Sequence, residues 1–115
     1  MMNLITRQDG AMLVIAVDAR RIDASVAIEF KDRMRALSAG GAERILLDLA
    51  QVEFIDSSGL GAIVASMKQL ADGQVLELAA LSENVGKVFR LTRMDTVFTI
   101  HTSTSGALGG TSLAS

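Results

Sequence analysis

A chain of 115 residues with 11 basic and 13 acidic side chains, a net charge of -2 and half its residues hydrophobic is one domain's worth, long enough to bury its own core. It has no cysteine, which excludes disulfides and thiolate metal sites, and its single histidine, His101, leaves no nitrogen cluster for a transition metal; no cofactor or metal is expected. Its four aromatic residues are all Phe, and Lys and Arg are nowhere concentrated, so nucleic acid is not expected as a partner.

The first residues, MMNLITRQDG, lack the basic start and apolar run of a secretion signal. No uncharged apolar stretch reaches the ~18 residues of a membrane span. A cytoplasmic chain without membrane contact is expected. Asn3 to Thr6 and Met12 to Val17 read as a hairpin around the turn signal Asp9-Gly10. From Ala24 to Leu37 the period changes: Ala27, Phe30, Met34 and Leu37 recur every three or four residues, opposite Glu29, Lys31, Asp32, Arg33 and Arg35. That pattern is an amphipathic helix, stopped by Gly40-Gly41, with Asp23 just ahead of it in a position to cap it.

Arg44 to Leu49 is a nearly continuous apolar strand of the kind found inside a sheet. Val52 to Ile55 then leads to Asp56-Ser57-Ser58-Gly59 and a helix from about Ser58 to Asp72, ended by Gly73. A strand from Val75 to Leu81, a helix from Glu83 to Arg93 and a last strand from Thr96 to Ile100 follow. Alternation of this kind needs right-handed crossovers, and so predicts one α/β domain with a mostly parallel or mixed sheet. Residues 1–102 are read as that domain. Residues 103–115 contain only Ser, Thr, Gly, Ala and Leu, and are expected to be a frayed tail or a marginal helix.

One segment carries chemistry. At Asp56-Ser57-Ser58-Gly59 the chain offers an acid and two hydroxyls where a helix leaves backbone N–H groups unpaired, and a serine there can cap them. On a helical wheel Leu60, Ile63, Val64, Met67, Leu70 and Ala71 share the core face. The opposite face holds Gly61, Ala62, Ala65, Ser66, Lys68, Gln69 and Asp72. Its first two turns present Gly, Ala, Ala and Ser instead of long charged residues, and small residues let another backbone approach; helix propensity alone also accounts for alanines. Together with Ser57 and Ser58 this reads as a docking face.

Enzyme readings fare worse. Gly59-x-Gly61 lacks the third glycine of a dinucleotide fingerprint, Val64 standing in its place, and no Gly-Lys-Ser/Thr exists to cradle a phosphate. Neither serine sits in a Gly-x-Ser-x-Gly elbow, and His101 lies far along the chain, so no catalytic residue is assigned. Glu53 and Asp56 are three positions apart across a strand end and do not form a working carboxylate pair.

Asp56-Ser57-Ser58-Gly59-Leu60-Gly61, the preceding Ile45-Leu46-Leu47-Asp48-Leu49 with Val52 and Phe54-Ile55, and the stretch from Val85 to Phe98 resemble the anti-sigma factor antagonist family, the free-standing STAS domain. The resemblance runs over essentially residues 2–102. It implies a mixed sheet of four or five strands covered mainly on one face by helices, and partner switching. In such a switch the unphosphorylated protein binds an anti-sigma factor that is also a serine kinase, is phosphorylated by it and released, and is reset by a serine phosphatase. Ser57 stands at the family's phosphoacceptor position and Asp23 at a partner-contacting aspartate. Asp56, Ser58, Gly59, Gly61, Ala62 and Ala65 complete the expected contact set. Arg20-Arg21-Ile22-Asp23 departs from the family's usual Gly-Glu/Asp-hydrophobic-Asp. The rival readings are a STAS scaffold or transport-complex subunit without phosphorylation, and a small nucleotide-binding or hydrolytic enzyme.

Overall fold

The structure, a computed structural model, describes residues 2–113. Strands β1 (Asn3–Asp9) and β2 (Met12–Asp18) form the expected hairpin, antiparallel from Asn3 against Asp18 to Asp9 against Met12. Gly10 turns the chain at φ +61°, a conformation that costs glycine least. β4 (Arg44–Asp48), β6 (Val75–Ala79) and β7 (Ile100–His101) join in parallel, giving a mixed sheet in the order β1-β2-β4-β6-β7. A separate ribbon pairs β3 (Arg21–Ile22) with β5 (Phe54–Ile55), also in parallel.

Side-chain alternation decides what covers the sheet. One face sends Ile15 and Val17, Ile45 and Leu47, Leu76 and Leu78 into a core closed by Phe30 and Met34 of α1 (Ala27–Ser38), Ile63 of α2 (Ser57–Lys68), and Val85 and Phe89 of α3 (Glu83–Leu91). Full burial of each large apolar side chain stabilises by about 1.5–3 kcal/mol. The other face is thinner: Met12, Val14, Leu46 and Ala79 meet Ala107 of α4 (Thr104–Leu113). On that same face Glu77 accepts from Arg44 Nε and Nη2 at 2.7 and 2.8 Å and from His101 Nε2 at 2.6 Å, tying β4, β6 and β7 together. Three helices on one face and one on the other is the architecture expected, with five strands in the main sheet.

The later elements differ from the sequence expectation in extent. Of the strand expected over Thr96 to Ile100, only its end forms: Thr96 closes a 3-10 turn, Met94–Thr96, entered through Arg93 in the left-handed region at φ +63°, and strand pairing begins at Ile100. The glycine-containing tail is helical over Thr104–Leu113, where Ser103 Oγ accepts from Gly106 N and Ala107 packs on the sheet; Ala114 and Ser115 lie outside the described residues. Packing on a sheet supplies what local propensity withholds. No described helix is long and apolar enough to cross a membrane.

Candidate functional site

Two turns meet at the rim of the sheet. The first, residues 23–26, precedes α1, which starts three residues later than the periodicity suggests, and Val26 stands at its cap position without a side-chain bond. Asp23 does not cap the helix. Its Oδ1 accepts from Ser25 N at 3.1 Å and Ser25 Oγ at 2.6 Å, its Oδ2 accepts from Arg21 Nε at 3.3 Å, and its carbonyl closes the turn by accepting from Val26 N. The Ser25 hydroxyl first, then Arg21 and the Ser25 amide, outweigh desolvation and hold this carboxyl below its usual range. Arg21 lies over the half-exposed Phe54 ring, 4.3 Å from its centroid.

The second turn begins α2. Here the aspartate caps, not a serine: Asp56 is extended, and its Oδ1 accepts from Gly59 N at 2.8 Å while its carbonyl takes Leu60 N. Its other oxygen, Oδ2, accepts from Ala24 N of the first turn at 3.1 Å. With the cap supplied elsewhere, Ser57 and Ser58 are both exposed, and their hydroxyls have no hydrogen-bond partner among the described residues.

The contact set expected from sequence divides. Ser57, Ser58 and Gly61 are exposed, and a Cβ on Gly61 would meet nothing within 4 Å. Ala65 is half-buried along a shallow groove of about 170 Å³ between α1 and α2, with Ile28, Lys31 and Ser58 on its other walls. Gly59 faces inward: a Cβ there would sit 2.0 Å from the Ile22 carbonyl oxygen, so the helix presses on the β3 backbone and only glycine fits. Ala62 and Ser66 are buried at 6% and 3% exposure, and Ser66 Oγ donates to the Ala62 carbonyl. The helical wheel puts both on the open face, and the structure buries them. The helical wheel weighed large apolar residues and passed over a second, small-residue stripe, Gly59, Ala62 and Ser66, on which α1 and β3 close in.

Ile28, 72% exposed on the wall of the groove, was missed altogether. It sits among charged residues on the outer side of α1, and an isoleucine in that company was the available signal. A larger groove of about 470 Å³ runs between α3 and β7 past Ser82, Arg90 and His101, away from the serines. His101 is bonded to Glu77, and neither serine has a base partner among the described residues, so no nucleophile–base pair forms.

A family model described as the STAS domain matches residues 3–107. A candidate anti-sigma factor antagonist from Thermotoga neapolitana is 38% identical over 69 residues, 59% of this chain and 61% of that relative's length. An anti-sigma-B factor antagonist from Listeria monocytogenes is 30% identical over 83 residues, 71% of this chain and 73% of the relative. Among solved structures, the anti-sigma factor antagonist SpoIIAA in its unphosphorylated form superposes with a TM-score of 0.76 at 20% identity, covering 95% of this chain and 96% of that one. The phosphorylated form of SpoIIAA, from Bacillus, gives 0.69 at 19% identity, covering 96% and 99%.

Proposed function

This chain belongs to the STAS domain family, among the anti-sigma factor antagonists, and we propose that it works there as a cytoplasmic partner switch. In its unphosphorylated state it binds an anti-sigma factor with serine-kinase activity through Asp23, Ser57, Ser58, Gly61 and the groove beside Ala65. Phosphorylation of Ser57 by that partner ends the complex, and a serine phosphatase restores it. The chain acts by binding, with no reaction of its own.

The observation that carries this reading is the pair of hydroxyls at the start of α2 that have no hydrogen-bond partner among the described residues, Asp56 performing the capping. A side chain with no structural bond can be modified without unfolding the domain. Exposed Ile28 lines the groove with Ser58, and exposed Phe54 lies on β5 just before Asp56; both offer apolar contact area of the kind a protein partner needs. SpoIIAA, which shares the fold, is known in phosphorylated and unphosphorylated forms.

A phosphoserine brings about -1.5 to -2 charges, which the positive end of α2 tolerates in the free protein. Against a surface shaped for a neutral hydroxyl the same group adds bulk and desolvation cost, and a hundredfold loss of affinity needs only about 2.7 kcal/mol. Incubation with ATP and the kinase purified from the native lysate, followed by peptide mass spectrometry, tests the switch. Phosphate is expected on Ser57, with Ser57→Ala bound permanently and Ser58→Ala still modified. Phosphate on Ser58 would move the acceptor by one residue, and phosphate on neither would end the proposal.

A further inference from the structure

The two turns of the rim are joined through one residue. Asp56 N donates to the Ile22 carbonyl at 3.4 Å, and Asp56 Oδ2 accepts from Ala24 N at 3.1 Å. These two bonds bracket Asp23, on the residues just before and just after it. Meanwhile Asp56 Oδ1 holds Gly59 N, and Gly59 rests against the same Ile22 carbonyl. Asp56 therefore grips the turn ahead of α1 with one carboxylate oxygen and the first turn of α2 with the other, and Ser57 is the next residue in the chain.

We infer that Asp56 is a positioning residue: it sets Asp23 at a fixed place relative to the serine pair, and both its oxygens are engaged inside the protein. Its importance to docking is thus indirect, through the geometry of Asp23 and Ser57, although its sequence position suggests a direct partner contact. A cap alone does not require the second oxygen, since serine or asparagine caps a helix about as well as aspartate. The bond to Ala24 is the part that a simple capping role leaves unexplained. Val26 gives α1 no side-chain cap, so the turn before it has few other anchors: the Asp23–Ser25 bonds lie within the turn and do not tie it to α2.

This role rests on the docking reading for its purpose, yet the bond network can be tested in the free protein with no partner present. Failure here would leave the switch standing, and failure of the switch would leave the network standing. The variants Asp56→Asn and Asp56→Ser both keep a group that caps Gly59 N. The amide of Asn offers a donor where Ala24 N needs an acceptor, and Ser is too short to reach it. Amide hydrogen exchange followed by NMR on the full chain is expected to show Ala24 exchanging about tenfold faster or more in both variants, with Gly59 and the melting temperature unchanged. Ser57→Ala, the control, should alter neither amide. Ala24 exchange equal to wild type in both variants would overturn the inference. So would Ala24 and Gly59 opening together with a lowered melting temperature in both, because Asp56 would then be a helix cap and nothing more.

Discussion

Two carboxylate-centred networks sit in this domain and do opposite work. Glu77, with its side chain only 10% exposed, binds the guanidinium of Arg44 and the ring of His101, side chain to side chain, across three adjacent strands. Asp23 and Asp56, at the open rim, accept mainly from backbone N–H groups and so fix where turns run. Removing Glu77 leaves two part-exposed partners, Arg44 at 37% and His101 at 25% side-chain exposure, unpaired at a cost that solvent reduces without abolishing. A rim cluster keeps water available to every group and loses little. The first kind holds strands in register; the second holds a surface in shape while leaving Ser57 and Ser58 free to change.

The contrast is sharpest in the sheet. Glu77→Ala leaves Arg44 and His101 facing a gap, and is expected to lower stability by about 1–2 kcal/mol, discounted for their partial exposure and measured by urea unfolding at neutral pH. A loss below about 0.5 kcal/mol would show that solvent reaches the cluster as freely as it reaches the rim. Acid titrates the same network. Arg44 first, with His101 after it and against desolvation, holds the Glu77 carboxyl below its usual range. A depressed folded pKa contributes stability that is fully present above the unfolded value of about 4.3 and disappears as pH falls through the folded one. The gap between wild type and Glu77→Ala should accordingly narrow as pH falls below about 4. Constancy of the gap through that acid range would separate the Glu77 effect from its charge.

How far each network could be read from sequence follows from the same physics. The run Ile45-Leu46-Leu47 announces an inner strand, and Asp56-Ser57 announces the start of α2, because both signals are local. Glu77, alone between Leu76 and Leu78, looks like an ordinary outward-facing residue until the two neighbouring strands bring Arg44 and His101 beside it. The burial of Ala62 and Ser66 was illegible for a related reason: small side chains carry little hydropathy, and only the approach of α1 shows them to be contacts. The tail helix has weak propensity and one buried alanine described on the sheet, so nothing within its own sequence distinguishes it from a frayed end. Asp56 stands out in the sequence as a residue at a helix start, but its second bond, to a residue 32 places earlier, is a product of tertiary structure.

The smallest effect expected is also the one that separates the two networks most directly. Ser57→Asp puts a permanent negative charge on the first residue of α2, whose opening turn contains no acidic side chain. The helix dipole favours such a charge by about 0.3–1 kcal/mol, and the neighbouring Asp56 carboxylate opposes it by a similar amount at close range in water. The hydroxyl that is removed has no bond to lose among the described residues, and the new side chain projects from an exposed position. Stability should therefore stay within about 0.5 kcal/mol of wild type, a shift of about 3 °C or less in melting temperature. Salt should shrink even that difference, since all of it is exposed electrostatics. A loss greater than about 1 kcal/mol that persists in 1 M salt would place Ser57 with Glu77, as a residue the fold depends on, and a serine of that kind could not carry a phosphate without unfolding the rim.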